Sequence, residues 1–306
     1  MACFVQAAYL LELDRQERIA AEKALAPNWW LPFKYKLSRT LRDRRDGSIF
    51  GAILEWERSV TQPIRPSGAP RAVLAIRGTL FNIKNIRMDL TDDLRFAAWE
   101  SLTGSVRFKI ALDAMKSLVK NFGSSDVCIA GHSLGAGFAF QIGKLLAADG
   151  IIVEAHLYNP PSISVARSII NIREDVVSMF KGLAAKLPFG TSSRDTSVVD
   201  PNTAAAPNNR WIPHLYVNHC DYVCCLYTAG PTNGNKEKNK KVAAPASSTN
   251  VVVKLFITYK NNQKFFDAHA LKQWWADDFT LKNFADNSPL INRQLKSLYQ
   301  LPRRLK

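Results

Sequence analysis

A serine stands between two glycines in the segment Gly131-His132-Ser133-Leu134-Gly135. Small and apolar residues precede this segment, and a helical pattern over residues 136–146 follows it. A G-x-S-x-G sequence between a strand and a helix is typical of a nucleophile elbow, a turn so tight that the residues two before and two after the serine must be small. Ser133 is therefore the candidate nucleophile, and the alternative is a structural serine in a tight turn.

A serine hydroxyl attacks at neutral pH only with the help of a base, an orienting acid and an oxyanion hole. The candidate bases are the histidines that follow the serine: His156, His214, His219 and His269. His269 comes after the last clear strand, and we expect it to open the helix that carries Trp274 and Trp275. It is the favoured base, because a triad histidine belongs on a loop after the final strands. His156 lies inside an apolar strand, which is typical of a packed histidine.

Asp221 is the favoured acid. It comes just after an apolar strand, Leu215 to Asn218, so it can reach a histidine on a neighbouring loop and orient its imidazole. Asp200 is the rival, but it lies in a polar stretch rich in Asn and Pro. The His214 and His219 side chains flank the same strand and precede the candidate acid.

Two backbone N–H groups are needed to stabilise a tetrahedral oxyanion. Leu134 directly follows the serine and supplies one. The other is expected from a loop after an early strand, and Thr79, which follows a hydrophobic strand ending near Gly78, fits this position. The alternative for Gly78 and Thr79 is a simple turn that ends a strand.

The histidines and cysteines near Asp221 invite comparison with a zinc site, since His214, His219, Cys220, Cys224 and Cys225 are close in sequence. Their spacing matches no ligand pattern with a second well-placed pair. We therefore expect no metal, and a serine mechanism needs no cofactor.

Strands and helices alternate along the chain, which favours a mainly parallel sheet. We expect one domain over residues 1–306, because one core is ordinary for this length. Three segments stand apart: an N-terminal helical extension over residues 1–45, a cap or insertion over residues 162–213, and a flexible loop over residues 231–250.

The formal net charge is +15, yet the basic residues are dispersed and form no nucleic-acid-binding module. We expect no nucleic-acid partner, and the main alternative to a solvated basic surface is peripheral contact with anionic membranes. There is no run of eighteen apolar residues and no basic stretch before the apolar N-terminus. Together with five cysteines, an odd and small number, this predicts a cytoplasmic protein without a signal peptide.

With Arg77-Gly78-Thr79, the elbow, Asp221 and His269 in place, the chain resembles the class 3, fungal-lipase-like family of α/β-hydrolases. The histidine segment, residues 268–275, is similar to that of a plant branch sometimes labelled GDSL esterase/lipase, although no G-D-S-L block is present. The resemblance implies the α/β-hydrolase fold, a mainly parallel central sheet with helices on both faces.

The same resemblance implies a lipase or carboxylesterase that acts on acyl lipid esters. Ser133 would be its nucleophile, with Asp221 as acid, His269 as base, and Thr79 and Leu134 as oxyanion donors. The family's lid would correspond to residues 80–93. The alternative function is a catalytically silent, lipase-like binding or signalling protein. The sequence does not define the oligomeric state.

Overall fold

A computed structural model of the chain describes residues 1–58, 64–80, 105–161, 211–221, 223–224, 227, 254–258, 263–275 and 282–285. The helices in these residues are α1 (Ala2–Gln16), α2 (Ser105–Phe122), α3 (Leu134–Ala148) and the short α4 (Phe265–His269). Short 3₁₀ helices occur at Ala21–Lys23, Ala26–Trp29, Leu31–Phe33, Ser124–Asp126 and Leu271–Trp274. The strands are β1 (Tyr35–Arg42), β2 (Ile49–Trp56), β3 (Ala72–Ile76), β4 (Val127–His132), β5 (Glu154–Tyr158), β6 (His214–Asn218), β7 (Lys254–Thr258) and β8 (Lys282–Ala285).

The strands form one sheet in which each pairs with its neighbours in chain order. β3 to β7 are parallel to one another. β1, β2 and β3 pair in antiparallel fashion at one side, and β8 is antiparallel to β7 at the other. The expected parallel centre of the sheet is thus confirmed, with antiparallel strands at both edges.

Helices cover both faces of the sheet. This explains why the central strands carry apolar side chains on both faces. On one face, residues such as Leu74, Ile129 and Leu157 pack against α2 and α3. On the other face, Val73 and Ala130 pack with the buried side of α1. This arrangement confirms the expected helices on both faces.

A buried carboxylate attaches α1 to the sheet. Glu12 is fully buried, and it accepts hydrogen bonds from the backbone N–H of Ile49 at 2.7 Å and from Arg15 and Gln16. Burial alone would raise the pKa of Glu12, but these hydrogen bonds outweigh it and lower the pKa to about 2. Because the carboxylate stays charged, it fixes the N-terminal helix to the start of β2.

The helical extension expected over residues 1–45 is wrong in two respects. α1 ends at Gln16, and Arg18 adopts a left-handed conformation with φ 54°, which cannot continue a helix. Residues 35–42 form β1, whose polar side chains suit an edge strand exposed on one face. The predicted helix opening at His269 is also wrong, because His269 is the last residue of α4.

The other predicted segments fall mainly outside the described residues. This holds for residues 231–250, for residues 81–93 of the expected lid and for residues 162–210 of the expected cap. The end of that expected cap, Trp211, is part of the core, where its indole donates to the carbonyl of Val153 at 2.9 Å. Among the described helices, none has the length and apolar character needed to cross a bilayer.

Candidate active site

Ser133 is the single residue between the end of β4 and the start of α3. Its backbone has φ 53° and ψ −125°, a strained conformation for a residue with a side chain. Its N–H donates to the carbonyl of Tyr158 on β5, at 2.9 Å. This is the strand–turn–helix geometry of a nucleophile elbow, as the sequence predicts.

The two elbow glycines are required by close backbone approach. A Cβ on Gly131 would lie 2.5 Å from the carbonyl carbon of Gly135, and a Cβ on Gly135 would lie 2.6 Å from the carbonyl oxygen of Arg77. A Cβ on Gly78 would lie 2.9 Å from the Cβ of Ser133. The loop after β3 therefore lies directly against the serine.

The structure brings Asp221 and His269 together, although 47 residues separate them in the chain. Asp221 follows β6 and His269 ends α4, so both extend from the carboxyl edge of the sheet. The Nδ1 of His269 lies 2.8 Å from the Oδ2 of Asp221, and both residues are buried. The carboxylate can only accept a hydrogen bond, so Nδ1 carries the proton, and the Nε2 of a neutral ring is then the basic nitrogen.

Asp221 receives several further hydrogen bonds. The Nδ2 of Asn159 donates to Oδ2 at 2.6 Å, the thiol of Cys224 donates to Oδ2 at 3.1 Å, and the N–H of Val223 donates to Oδ1 at 3.0 Å. Burial works to raise the pKa of Asp221, but the charge and hydrogen bond of His269, with those of Asn159 and Cys224, lower it overall. The acid is therefore held in its ionised form.

Asn159 is itself firmly held. It has φ 46°, a left-handed conformation that asparagine tolerates better than most residues. Its Nδ2 also donates to the carbonyl of Ala268, and its Oδ1 accepts from the indole of Trp274 at 2.7 Å. Asn159 thus bonds the acid and the histidine loop at the same time.

His132, next to the serine, connects three elements. Its Nε2 lies 2.8 Å from the carbonyl oxygen of His269, and its Nδ1 lies 2.8 Å from the hydroxyl of Tyr9 on α1. Burial, with a smaller contribution from the charge of His269, lowers the pKa of His132 to about 3. The ring is neutral, so Nε2–H donates to the carbonyl and Nδ1 accepts from Tyr9.

The loop after β3 is fixed on both sides of Gly78. The N–H of Gly78 donates to the hydroxyl of Tyr9 at 2.8 Å, and its carbonyl accepts from the guanidinium of Arg77 at 2.7 Å. In a trans peptide the carbonyl and the following N–H point in opposite directions. Arg77 therefore sets the direction of the Thr79 N–H, while the N–H of Leu134 lies at the start of α3, where the helix dipole favours negative charge.

The remaining candidates lie elsewhere. His156 and His214 face Glu154 at the amino edge of the sheet, His219 is exposed after β6, and Asp200 is outside the described residues. The sequence reasoning missed Tyr9, His132 and Asn159. Asn159 could have been found, because it follows an apolar strand next to the one that precedes Asp221. Tyr9 gave no such signal, since its role depends on where α1 packs.

Comparison with known proteins found a relative with a similar sequence. The chain is 30% identical to a GDSL esterase/lipase of Arabidopsis thaliana, over 90% of this chain and 87% of the relative. No protein-family model matches the chain. The strained elbow, the parallel sheet and this relative together identify an α/β-hydrolase. The chain belongs to the family of this relative, the plant carboxylic ester hydrolases labelled GDSL esterase/lipase.

Two solved structures are also similar. A triacylglycerol lipase from Penicillium expansum shares 12% identity, covering 83% of this chain and 78% of its own, with a TM-score of 0.33. A lipase from Rhizopus microsporus var. chinensis shares 12% identity, covering 72% of this chain and 66% of its own, with a TM-score of 0.35.

Proposed function

We propose that the protein is a serine carboxylesterase or lipase that hydrolyses acyl lipid esters through a Ser133–His269–Asp221 triad. The observation that carries the proposal is the 2.8 Å hydrogen bond between His269 and Asp221. The backbone carbonyl of His269 also accepts a hydrogen bond from His132, which directly precedes Ser133. An acid that orients a histidine, whose carbonyl is bonded to the residue before a strained serine, supports the triad that acyl transfer requires. No cofactor takes part.

In the first half of the reaction, the Nε2 of His269 accepts the proton of Ser133 as Oγ attacks the carbonyl carbon of the ester. The N–H groups of Thr79 and Leu134 stabilise the negative oxygen of the tetrahedral intermediate. Asp221 stabilises the imidazolium that has formed. The intermediate then expels the alcohol, which takes the proton from His269, and the acyl group remains on Oγ.

In the second half, water replaces the alcohol. His269 accepts a proton from water as its oxygen attacks the acyl carbon, and the same two N–H groups stabilise the second tetrahedral intermediate. Its collapse breaks the bond to Oγ, and His269 returns the proton to the serine. The products are a fatty acid and an unchanged enzyme.

The ester class follows from the family. The Arabidopsis relative is named an esterase/lipase, and we infer that this chain likewise acts on acyl esters, with lipids as the natural class. The +15 charge supports approach to anionic lipid surfaces, because such a charge attracts the protein to anionic headgroups.

The test is hydrolysis of a panel of short- and long-chain acyl esters, together with labelling by a fluorophosphonate. We expect the wild type to hydrolyse esters and to be labelled once per chain. Ser133→Ala should lose labelling and at least about 10³-fold of the rate. Ser117→Ala, which removes an exposed hydroxyl on α2, is the matched control and should keep both.

The binding or signalling alternative makes the opposite prediction. If the wild type hydrolyses esters no faster than Ser133→Ala and is not labelled, the triad assignment is wrong and the protein is a silent scaffold. Labelling of Ser133→Ala at the level of the wild type would show that another residue is the nucleophile.

A further inference from the structure

A second group of polar side chains lies at the amino edge of the parallel strands, opposite to the candidate active site. We call Glu154, His156 and His214 the amino-edge cluster. Glu154 and His156 are two residues apart on β5, and His156 is the register partner of His214 on β6. Side chains two apart on a strand share a face, so the cluster projects from one side of the sheet.

The distances within the cluster suit a metal ion. The Oε1 of Glu154 lies 3.0 Å from the Nε2 of His156 and 3.9 Å from the Nδ1 of His214. One ligand atom from each residue lies within 4.8 Å of the other two. Nitrogen and oxygen ligands at about 2.1 Å from a tetrahedral Zn²⁺ are about 3.4 Å apart. The observed separations bracket this value, so small side-chain shifts would complete the geometry.

Both imidazoles are already oriented. The Nδ1 of His156 lies 2.9 Å from the hydroxyl of Tyr216, and the two rings are stacked with 21° between their planes. The ring of His214 packs edge-on against His156 and Phe256. A ligand histidine commonly donates its second ring N–H to a neighbouring oxygen, and Tyr216 is placed to be that partner.

The cluster is also open on one side. The side chains of His156 and His214 are 12% and 14% exposed, whereas that of Glu154 is 46% exposed. Three protein ligands with one open direction leave a coordination position for water. The exposed Lys254, register partner of His214, adds a positive charge that opposes a cation, but its long chain can turn into solvent.

We propose that the amino-edge cluster binds a divalent transition metal, with Zn²⁺ as the best match to two imidazoles and one carboxylate. The ion connects β5 to β6 and stabilises the folded chain. Four residues of β5, about 13 Å of strand, separate Glu154 from the carboxyl edge, so the ion takes no part in ester hydrolysis. The proposal is independent of the proposed function.

The experiment uses the full chain, stripped with a chelator and dialysed. Calorimetric titration with Zn²⁺ is expected to show one ion bound per chain, and saturating Zn²⁺ should raise the melting temperature. Co²⁺ should produce visible bands of a tetrahedral site without the near-ultraviolet band of a cobalt–thiolate bond. Absence of binding, or a thiolate band that shows cysteine ligands, would overturn the proposal.

Substitutions locate the site. Glu154→Gln preserves size and His214→Asn replaces the imidazole with a smaller polar side chain, and each should weaken Zn²⁺ binding at least about tenfold. Tyr216→Phe should weaken it about tenfold through the lost contact to His156. Lys254→Met should strengthen binding. The controls His219→Asn and Ser133→Ala should bind as the wild type does.

A competing explanation is that the cluster is an ion-paired group that uses Lys254 instead of a metal. In that case, Zn²⁺ affinity would be equal in the wild type and His214→Asn, and Lys254→Met would only destabilise the protein. Either result would refute a metal site at the amino edge.

Discussion

The hydroxyl of Tyr9 makes two hydrogen bonds at the candidate active site, one to the N–H of Gly78 and one to His132. Tyr9→Phe removes both without changing the ring. We expect kcat to fall about tenfold with KM nearly unchanged, because a lost hydrogen bond is worth about 1 kcal/mol and the loop after β3, which carries the candidate donor Thr79, becomes less fixed. Steady-state kinetics on a short-chain ester measure this effect.

Tyr35→Phe is the matched control. Tyr35 is also buried and donates one hydrogen bond, to the carbonyl of Pro70 at 2.6 Å. It should lose about 1 kcal/mol of unfolding free energy and keep its kcat. If Tyr9→Phe keeps full kcat, or if both variants lose it equally, Tyr9 has no specific role at the site.

Asn159 offers a second test, through pH. Asn159→Asp places a carboxylate where an N–H donor now contacts Asp221, so the pKa of Asp221, lowered in the wild type, must rise. The proposed mechanism requires a neutral base, so hydrolysis is expected to fade in acid. We expect the acid limb of the pH–rate profile to move to higher pH, because the added negative charge favours the protonated, inactive form of the Asp221–His269 pair.

Asn159→Gly is the comparison variant. Glycine tolerates the positive φ and removes the donor without adding charge, so its acid limb should move in the same direction by a smaller amount. A profile for Asn159→Asp identical to that of the wild type would contradict the role given to Asn159.

Much of the candidate site was visible in the sequence because chain order limits it. Ser133, Asp221 and His269 each follow an apolar strand, and parallel strands bring such positions to one edge. Chain order gave no such help for Tyr9, which supports the site from another element. Tyr9 lies on α1, far away in sequence, and no local pattern shows which residue a packed helix presents to Gly78.

At the scale of elements, α1 depends on Glu12. Glu12→Ala would leave the N–H of Ile49 and the guanidinium of Arg15 without their buried partner, which typically costs about 2–4 kcal/mol of unfolding free energy. Because α1 carries Tyr9, we also expect kcat to fall. Urea unfolding and ester kinetics on the same preparation measure both quantities.

Glu17 provides the control for this prediction. It is exposed and lies just after α1, so Glu17→Ala should change neither stability nor kcat appreciably. Full activity in a destabilised Glu12→Ala would show that the site does not depend on the docking of α1.

The central strands and the helices α2 and α3 were predictable, because burial on both faces gives apolar runs of recognisable length. β1 was not. Its sequence, Tyr-Lys-Leu-Ser-Arg-Thr-Leu-Arg, carries three charged residues, and an edge strand needs an apolar side chain only where it meets the core. α1 ends early for a reason that residue preferences do not encode, the left-handed turn at Arg18.

At the scale of the whole molecule, buried carboxylates with lowered pKa values contribute to acid stability, among them Asp43 and Glu12. Asp43 accepts hydrogen bonds from Arg45 and Arg107. These bonds, those of Arg45 most of all, lower the pKa of Asp43, whereas burial works to raise it. The pKa of Glu12 is lowered from 4.5 to about 2. A carboxyl group whose pKa is lower in the folded than in the unfolded state stabilises the fold at pH values above its unfolded-state pKa. This stabilisation is lost as the pH falls through the folded-state pKa.

We therefore expect urea stability to decline between about pH 4.5 and pH 2, with part of the loss from Glu12. Glu12→Gln cannot titrate at this position, so it should be less stable at pH 7 and lose less on acidification. Parallel pH dependence in the wild type and Glu12→Gln would assign the loss to other groups.

The consecutive order of the strands has a consequence for biosynthesis. Each strand pairs with the one made just before it, so a chain emerging from the ribosome can extend its sheet at one edge without rearranging strands already in place. The serine turn belongs to the middle of this sequence, and His269 is made 136 residues later. At about 5–20 residues per second, the nascent chain carries Ser133 without the candidate base for roughly seven to twenty-seven seconds. Under the proposed mechanism, hydrolysis therefore begins only after β1 to β7 have been synthesised.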